Sequence, residues 1–202
     1  GTATDGFGAQ DQLSNIENIT GTDQSDQLTG SDAANVIKGN AGDDVIAGFA
    51  GADTIDGGAG ADAIAGGSGI DTIDGGAGDD ELTGGAGSDK FIWTLGDEGT
   101  AVAASDIVKD FTKGEDTLEL GDLLQGESYS INIDGDVTDV AALLDYMSVE
   151  EVGGNVVISV SPDGSGSAAV SQVITLEGQS LTDVLSIGVD PANQSAILTD
   201  ML

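Results

Sequence analysis

The sequence predicts an all-β fold: a parallel β-roll, a right-handed β-solenoid with two nine-residue repeats per turn, then a small β-rich unit carrying one or two short helices. Three observations predict it. From Gly21 a glycine returns every nine residues. An aspartate or asparagine stands five places after each of those glycines. An aliphatic or aromatic residue stands two places further on.

The repeats come first in chain order. Residues 21–92 divide into eight nonapeptides: GTDQSDQLT, GSDAANVIK, GNAGDDVIA, GFAGADTID, GGAGADAIA, GGSGIDTID, GGAGDDELT and GGAGSDKFI. Position six reads Asp26, Asn35, Asp44, Asp53, Asp62, Asp71, Asp80 and Asp89. Position eight reads Leu28, Ile37, Ile46, Ile55, Ile64, Ile73, Leu82 and Phe91. A six-residue loop and a short strand with one apolar side chain bury nothing alone, so the units must stack. With two repeats per turn, the strands lie in parallel about 4.8 Å apart. Leu28, Ile46, Ile64 and Leu82 form one inward column, and Ile37, Ile55, Ile73 and Phe91 face it. Burying each stabilises the roll by about 1.5 to 3 kcal/mol.

The loops carry the chemistry. Glycine at positions one and four is expected to let the backbone curl where a Cβ is excluded. That curl turns carbonyl oxygens inward beside the position-six carboxylates. Composition says what such oxygens attract: 37 Asp and Glu stand against four Lys, with no Arg and no His. A formal charge of -33 excludes nucleic acid and anionic membrane surfaces as partners. The absence of Cys and His excludes thiolate and imidazole metal sites, disulfides and His-based catalytic triads. A hard cation with oxygen ligands remains, calcium before magnesium.

The expected ligands are the side chains of Asp26, Asn35, Asp44, Asp53, Asp62, Asp71, Asp80 and Asp89. To these are added the backbone carbonyls of Gly39, Gly42, Gly48, Gly51, Gly57, Gly60, Gly66, Gly69, Gly75, Gly78, Gly84 and Gly87. Three neighbouring pairs on each edge give about six calcium sites, the first weakened because Gln24 and Ala33 replace glycine and Asn35 is neutral. Without metal, carboxylates stacked about 5 Å apart repel by roughly 1 kcal/mol per pair even at the dielectric of water. The roll is therefore expected to be unfolded without calcium and folded with it.

The flanks are less regular. Gly6–Ser14 fits a degenerate repeat with Asp11 at position six, and Ile16 and Ile19 are expected to cover the open end of the core. After Ile92, Asp106, Asp110 and Asp116 are candidates for one or two further ions, with Trp93 and Phe111 capping the core. Beyond Tyr129, YSINIDG, NVVISVS and VSQVITLEG read as strands, and TDVAALLDYM and SLTDVLSIG as short helices. The expected divisions are 1–20, 21–92, 93–126 and 127–202. No apolar run has the length of a membrane span. A chain that starts at Gly1 with no cleavable signal is expected to be a piece of a longer one.

The pattern GGxGxDxUx resembles the calcium-binding repeat of RTX (repeats-in-toxin) proteins. FIWTLGDEGT, SDIVKDFTKGEDTLELGDLL and VITLEGQSL resemble the C-terminal target domain of proteins exported by type I secretion, most nearly that of giant bacterial biofilm adhesins. That resemblance implies a secreted, monomeric, non-catalytic module at the bacterial cell surface, with further adhesin domains upstream. It also implies an uncleaved C-terminal signal, ending Asp200-Met201-Leu202, that is read by an ABC transporter. The alternative is the tail of a secreted protease, lipase or epimerase whose catalytic domain lies upstream. Ice binding would need a flat rank of Thr or Asn, and positions two and three provide none.

Overall fold

The computed structural model describes residues 2–4, 10–12, 17–94, 97, 103–120, 147–161 and 172–181. Among those residues it is a parallel β-solenoid of about four turns with essentially no helix. The roll strands are β3 (Asn18–Thr20), β4 (Gln27–Thr29), β5 (Val36–Ala41), β6 (Val45–Ala50), β7 (Thr54–Ala59), β8 (Ala63–Ser68), β9 (Thr72–Ala77), β10 (Glu81–Ala86) and β11 (Lys90–Ile92). They alternate between two sheets, so each pairs in parallel with the strand two places along. Ile37 lies opposite Ile55, and Val45 opposite Ala63, a step of two nonapeptides.

The core is one side chain thick and continuous. Position-eight residues from Leu28 to Phe91 are buried in two facing columns, while positions seven and nine of most repeats face outward. Both columns extend beyond the repeats. Ile19 stacks under Ile37, Leu118 over Phe91, and Val108 over Leu82. The inner strands are longer than one apolar position suggested. Each runs six residues, from position seven of one repeat through position three of the next.

Past the repeats the step lengthens, because residues 93–103 intervene before β12 (Ala104–Val108). β12 rejoins the first sheet and β13 (Thr117–Glu119) the second. β16 (Gln172–Leu176) pairs in parallel with β12, β15 (Asn155–Val160) antiparallel with β16, and β14 (Met147–Val152) antiparallel with β15. One sheet therefore runs from the roll into the C-terminal unit, across the expected division near residue 127. Phe111 and Trp93 are buried in the shared core.

Several expectations change. β1 (Thr2–Thr4) and β2 (Gln10–Gln12) form an antiparallel pair that docks β1 antiparallel on β4. Asp11, on β2, is thus in an antiparallel ribbon and not at position six of a coil. The in-phase segment is β3, whose Ile19 keeps the position-eight register; Ile16 lies outside the described residues. Met147 begins β14 instead of ending a helix, and the rest of TDVAALLDYM lies outside the described residues, as does YSINIDG. Only the first two residues of SLTDVLSIG are described. Gly153 and Gly154, at φ 64° and 84°, make the two-residue turn between β14 and β15. No helix among the described residues is long and apolar enough to cross a membrane.

Candidate metal centre

Position-six side chains line the two edges of the roll, where the chain crosses between sheets. Every one is buried, with at most 7% of its surface exposed. From Asp44 onward, the first carboxylate oxygen of each is held by the turn before it. On one edge Asp44 Oδ1 accepts the Asp26 N–H at 2.7 Å, Asp62 that of Asp44 at 2.7 Å, and Asp80 that of Asp62 at 2.9 Å. On the other edge Asp53 accepts from Asn35 at 2.7 Å, Asp71 from Asp53 at 2.8 Å, and Asp89 from Asp71 at 2.9 Å. Two ladders of carboxylate–amide bonds thus run the length of the roll.

The second oxygens are different. Oδ2 of Asp44, Asp53, Asp62, Asp71, Asp80 and Asp89 is buried and has no hydrogen-bond partner. A buried polar atom without a partner is expensive, and a buried charge more so. Burial accordingly pushes these carboxyls above the ordinary carboxylate range, against the lowering effect of the N–H each accepts. Asp62 is raised to about 6 and Asp80 to about 8; Asp44, Asp53, Asp71 and Asp89 move the same way.

Glycine at position one keeps space open beside those oxygens. Its φ is not in the left-handed region, so the expectation of a special backbone there is corrected; the positive φ belongs to positions two and four, as at Gly58 (104°) and Gly60 (144°). A Cβ on Gly57 would instead stand 2.5 Å from Asp62 Oδ2 and 2.5 Å from the Gly75 carbonyl oxygen one turn on. Gly39 and Gly48 are hemmed in the same way, by Asp44 and Gly57 and by Asp53 and Gly66. A carboxylate oxygen and a carbonyl oxygen converge there from adjacent turns.

Among the described residues no three acidic side chains gather round one point. Side chains alone hold no ion, so backbone carbonyls must complete any coordination sphere. An orphaned anionic oxygen beside inward carbonyls, with no nitrogen or sulfur donor, is the donor set of a calcium site. The residues fit the ion.

The ends of the ladders are closed by the protein itself. Asp26 Oδ2 accepts from Thr22 N–H at 2.6 Å and Oγ1 at 2.9 Å, and Asn35 Oδ1 accepts from Ser31 N–H at 2.7 Å. At the far end Asp106 and Asp116 take the N–H groups of Asp80 and Asp89, at 3.0 and 2.9 Å, and so continue both ladders. Their second oxygens are engaged: Asp106 by the Trp93 indole and Gln172, Asp116 by Thr112 N–H. Asp110 places its two oxygens on the N–H groups of Gly84 and Gly85, and so caps the edge of the last full turn.

Sequence reasoning missed the position-five contacts. Ser25 accepts from Asp43 N–H, Asp43 from Ala61 N–H and Asp79 from Ser105 N–H, all on the Asp26–Asp80 edge. Position five was the available signal: it is polar at Ser25, Asp43 and Asp79 on this edge, with Ala61 between them, but only at Ser88 on the other.

The family comparison agrees with this donor set. A family described as the RTX calcium-binding nonapeptide repeat (4 copies) matches residues 20–55, 29–64 and 56–91. Residues 20–91 therefore match the RTX calcium-binding nonapeptide repeat. Similar solved structures include the AlgE6R3 and AlgE6R2 subunits of the Azotobacter vinelandii mannuronan C5-epimerase. The first is 23% identical, at a TM-score of 0.43, with 85% of this chain and 83% of that one covered. The second is 23% identical, at 0.47, with 88% and 98% covered. The extracellular lipase LipA of Serratia marcescens is 16% identical, at 0.31, with 86% and 39% covered. No curated protein matches the chain.

Proposed function

We propose that the chain is a calcium-triggered folding module of a secreted bacterial surface adhesin, exported by a type I ABC transporter that reads its C-terminal segment. The observation that carries the calcium reading is the set of six buried carboxylate oxygens without partners. Asp44, Asp53, Asp62, Asp71, Asp80 and Asp89 would hold the ions, together with carbonyls of the loop glycines. Bound calcium would supply the positive charge that those oxygens lack. Cytosolic calcium lies far below the roughly 0.1 to 1 mM dissociation constants of extracellular modules, so the chain stays unfolded inside the cell and folds outside it.

The adhesin assignment and the secretion signal draw their support from the resemblance of residues 91–124 and 173–181 to type I target domains. The division into an N-terminal cap, a roll, terminal turns and a target unit rests on where the nonapeptide spacing starts and lapses and on the change of composition past residue 126. The competing assignment, the tail of a secreted enzyme, turns on what precedes Gly1 in the parent gene. A calcium titration of the 202-residue chain, followed by far-UV circular dichroism, tests the module itself. Strand signal should be absent in excess chelator and appear cooperatively near millimolar calcium, with about six ions per chain by elemental analysis. Strand signal already complete in chelator sinks the proposal.

A further inference from the structure

The ladder on the Asp26–Asp80 edge runs out of the repeats into chain where the nonapeptide spacing has lapsed. Its next acceptor is Asp106, 26 residues beyond Asp80, and the Asp80 N–H reaches Asp106 Oδ1 at 3.0 Å. Asp106 Oδ2 is not bare like the oxygens of the inner rungs. It accepts the Trp93 indole N–H at 2.6 Å and Gln172 Nε2–H at 2.6 Å. All three side chains are buried. Gln172 opens β16, the strand that lies against β12 and joins the C-terminal unit to the roll. Short bonds from buried donors to a carboxylate are the strong kind, and they occupy the face that an ion would need.

The opposite edge ends differently. Asp116 takes the Asp89 N–H, but its second oxygen is closed by Thr112, only four residues upstream. Among the described residues that end is closed locally.

We propose that Asp106, Trp93 and Gln172 form a metal-free terminal rung that couples calcium binding along the Asp26–Asp80 edge to docking of the C-terminal strand β16. The inference rests on the calcium reading above and adds which residues transmit it. All three are positioning residues. Asp80 is at once the last rung with an open oxygen and the residue that Asp106 holds. Undocking β16 withdraws Gln172, leaves Asp106 Oδ2 short of a donor and frees the Asp80 loop. Filling the Asp80 site fixes that loop and, through Asp106, the partner that Gln172 needs. The link is reciprocal, as any coupling between two equilibria must be.

The test uses the full 202-residue chain and calcium alone as the probe. Trp93, the one tryptophan, reports the rung by its fluorescence, and far-UV circular dichroism reports the roll. In the natural sequence both signals should change at the same calcium concentration. Gln172→Met removes a donor to a buried charge, on the order of tenfold to hundredfold in the folding equilibrium. Spread over about six ions taken up together, that raises the calcium midpoint by about 1.5- to 2-fold. Asp80→Asn should raise it as well, yet the pair Asp80→Asn with Gln172→Met should shift it by less than the product of the two single effects. Residues 80 and 172 do not share a hydrogen bond, so independent roles would give the product. Asp89→Asn with Gln172→Met, across the other edge, should give that product.

If Gln172→Met fails to fold at any calcium concentration, Trp93→Phe removes one donor in its place and is read by circular dichroism with the same partners. A full product for the Asp80 pair, or a Trp93 transition displaced from the dichroism transition in the natural sequence, overturns the coupling. Absence of any calcium-driven transition in the natural sequence overturns the calcium reading itself.

Discussion

In the middle of the roll, Asp62 and Asp71 each keep one carboxylate oxygen buried and without a partner. At the ends, Asp26 and Asp106 have second oxygens engaged by two donors apiece. The residue type and its place on the edge are the same; the donors around it are not. An end rung is complete as the chain folds. An inner rung is complete only with a cation, because a bare buried carboxylate oxygen opposes folding. Stability has thus been concentrated at the two ends and withheld from the middle. That is what a segment needs if it is to stay open until calcium is supplied.

The comparison breaks most directly by removing one charge from each class. Asp71→Asn takes the anionic oxygen from an inner rung, so the calcium count should fall by one or two ions. Apparent stability in calcium should drop by about 1 to 3 kcal/mol. Asp26→Asn should cost less than Asp71→Asn and leave the calcium count unchanged, because an amide oxygen can still accept from Thr22. Asn35 is the natural precedent: it is neutral, stands at the matching end of the other edge, and accepts from Ser31 as Asp26 does from Thr22. Calcium binding by elemental analysis and denaturant melts of both variants check the pair. Equal losses would erase the distinction between inner and end rungs.

What recurs in this molecule was legible, and what occurs once was not. The two-repeat turn, the facing apolar columns and the carboxylate edges follow from spacing because every repeat restates them. Asp106 and Asp116 could be proposed as ion ligands because they keep an Asp-to-apolar spacing of two, with Val108 and Leu118. The donors to their second oxygens, Trp93 and Gln172 for Asp106 and Thr112 for Asp116, lie outside any period. No spacing links residue 106 to residue 172. The antiparallel docking of β1 onto β4 is likewise a tertiary choice, which the approximate match of Gly6–Ser14 to the repeat obscured. The β14–β15 hairpin did leave a local trace, the Gly153-Gly154 pair between two strand-like runs. Glycine at position one was recognisable as necessary, but for a different reason: crowding by oxygens from the next turn, which only the stacked coil reveals.

Acid sharpens the same comparison by replacing the cation with protons. In the folded, metal-free roll Asp62 holds its proton up to about 6 and Asp80 up to about 8, whereas an unfolded chain releases both near 4. Between those limits the folded form binds more protons than the unfolded one. Stability of the metal-free roll therefore falls as pH rises from about 4 through about 8. In chelator, circular dichroism at pH 5.5 should show more strand than at pH 8. In calcium the order reverses, since protons displace the ion from the same oxygens. A chelated chain equally unordered at both values would mean that charge on the inner rungs is not what keeps the roll open.

The smallest effect is expected on the outer faces of the sheets, away from both classes of rung. Lys38 Nζ lies 3.0 Å from Asp56 Oδ2, one turn along, and both side chains are about half exposed. Water and salt screen such a pair, and holding two long side chains in one geometry offsets much of its attraction. Lys38 and Asp56 both stand at position nine, where side chains point away from the edge oxygens. Lys38→Ala should accordingly leave the calcium midpoint within experimental scatter, at low and at physiological salt alike. A clear shift at low salt that vanishes at high salt would show that the acidic field of the whole roll, and not the local oxygen count at each rung, sets its affinity for the cation.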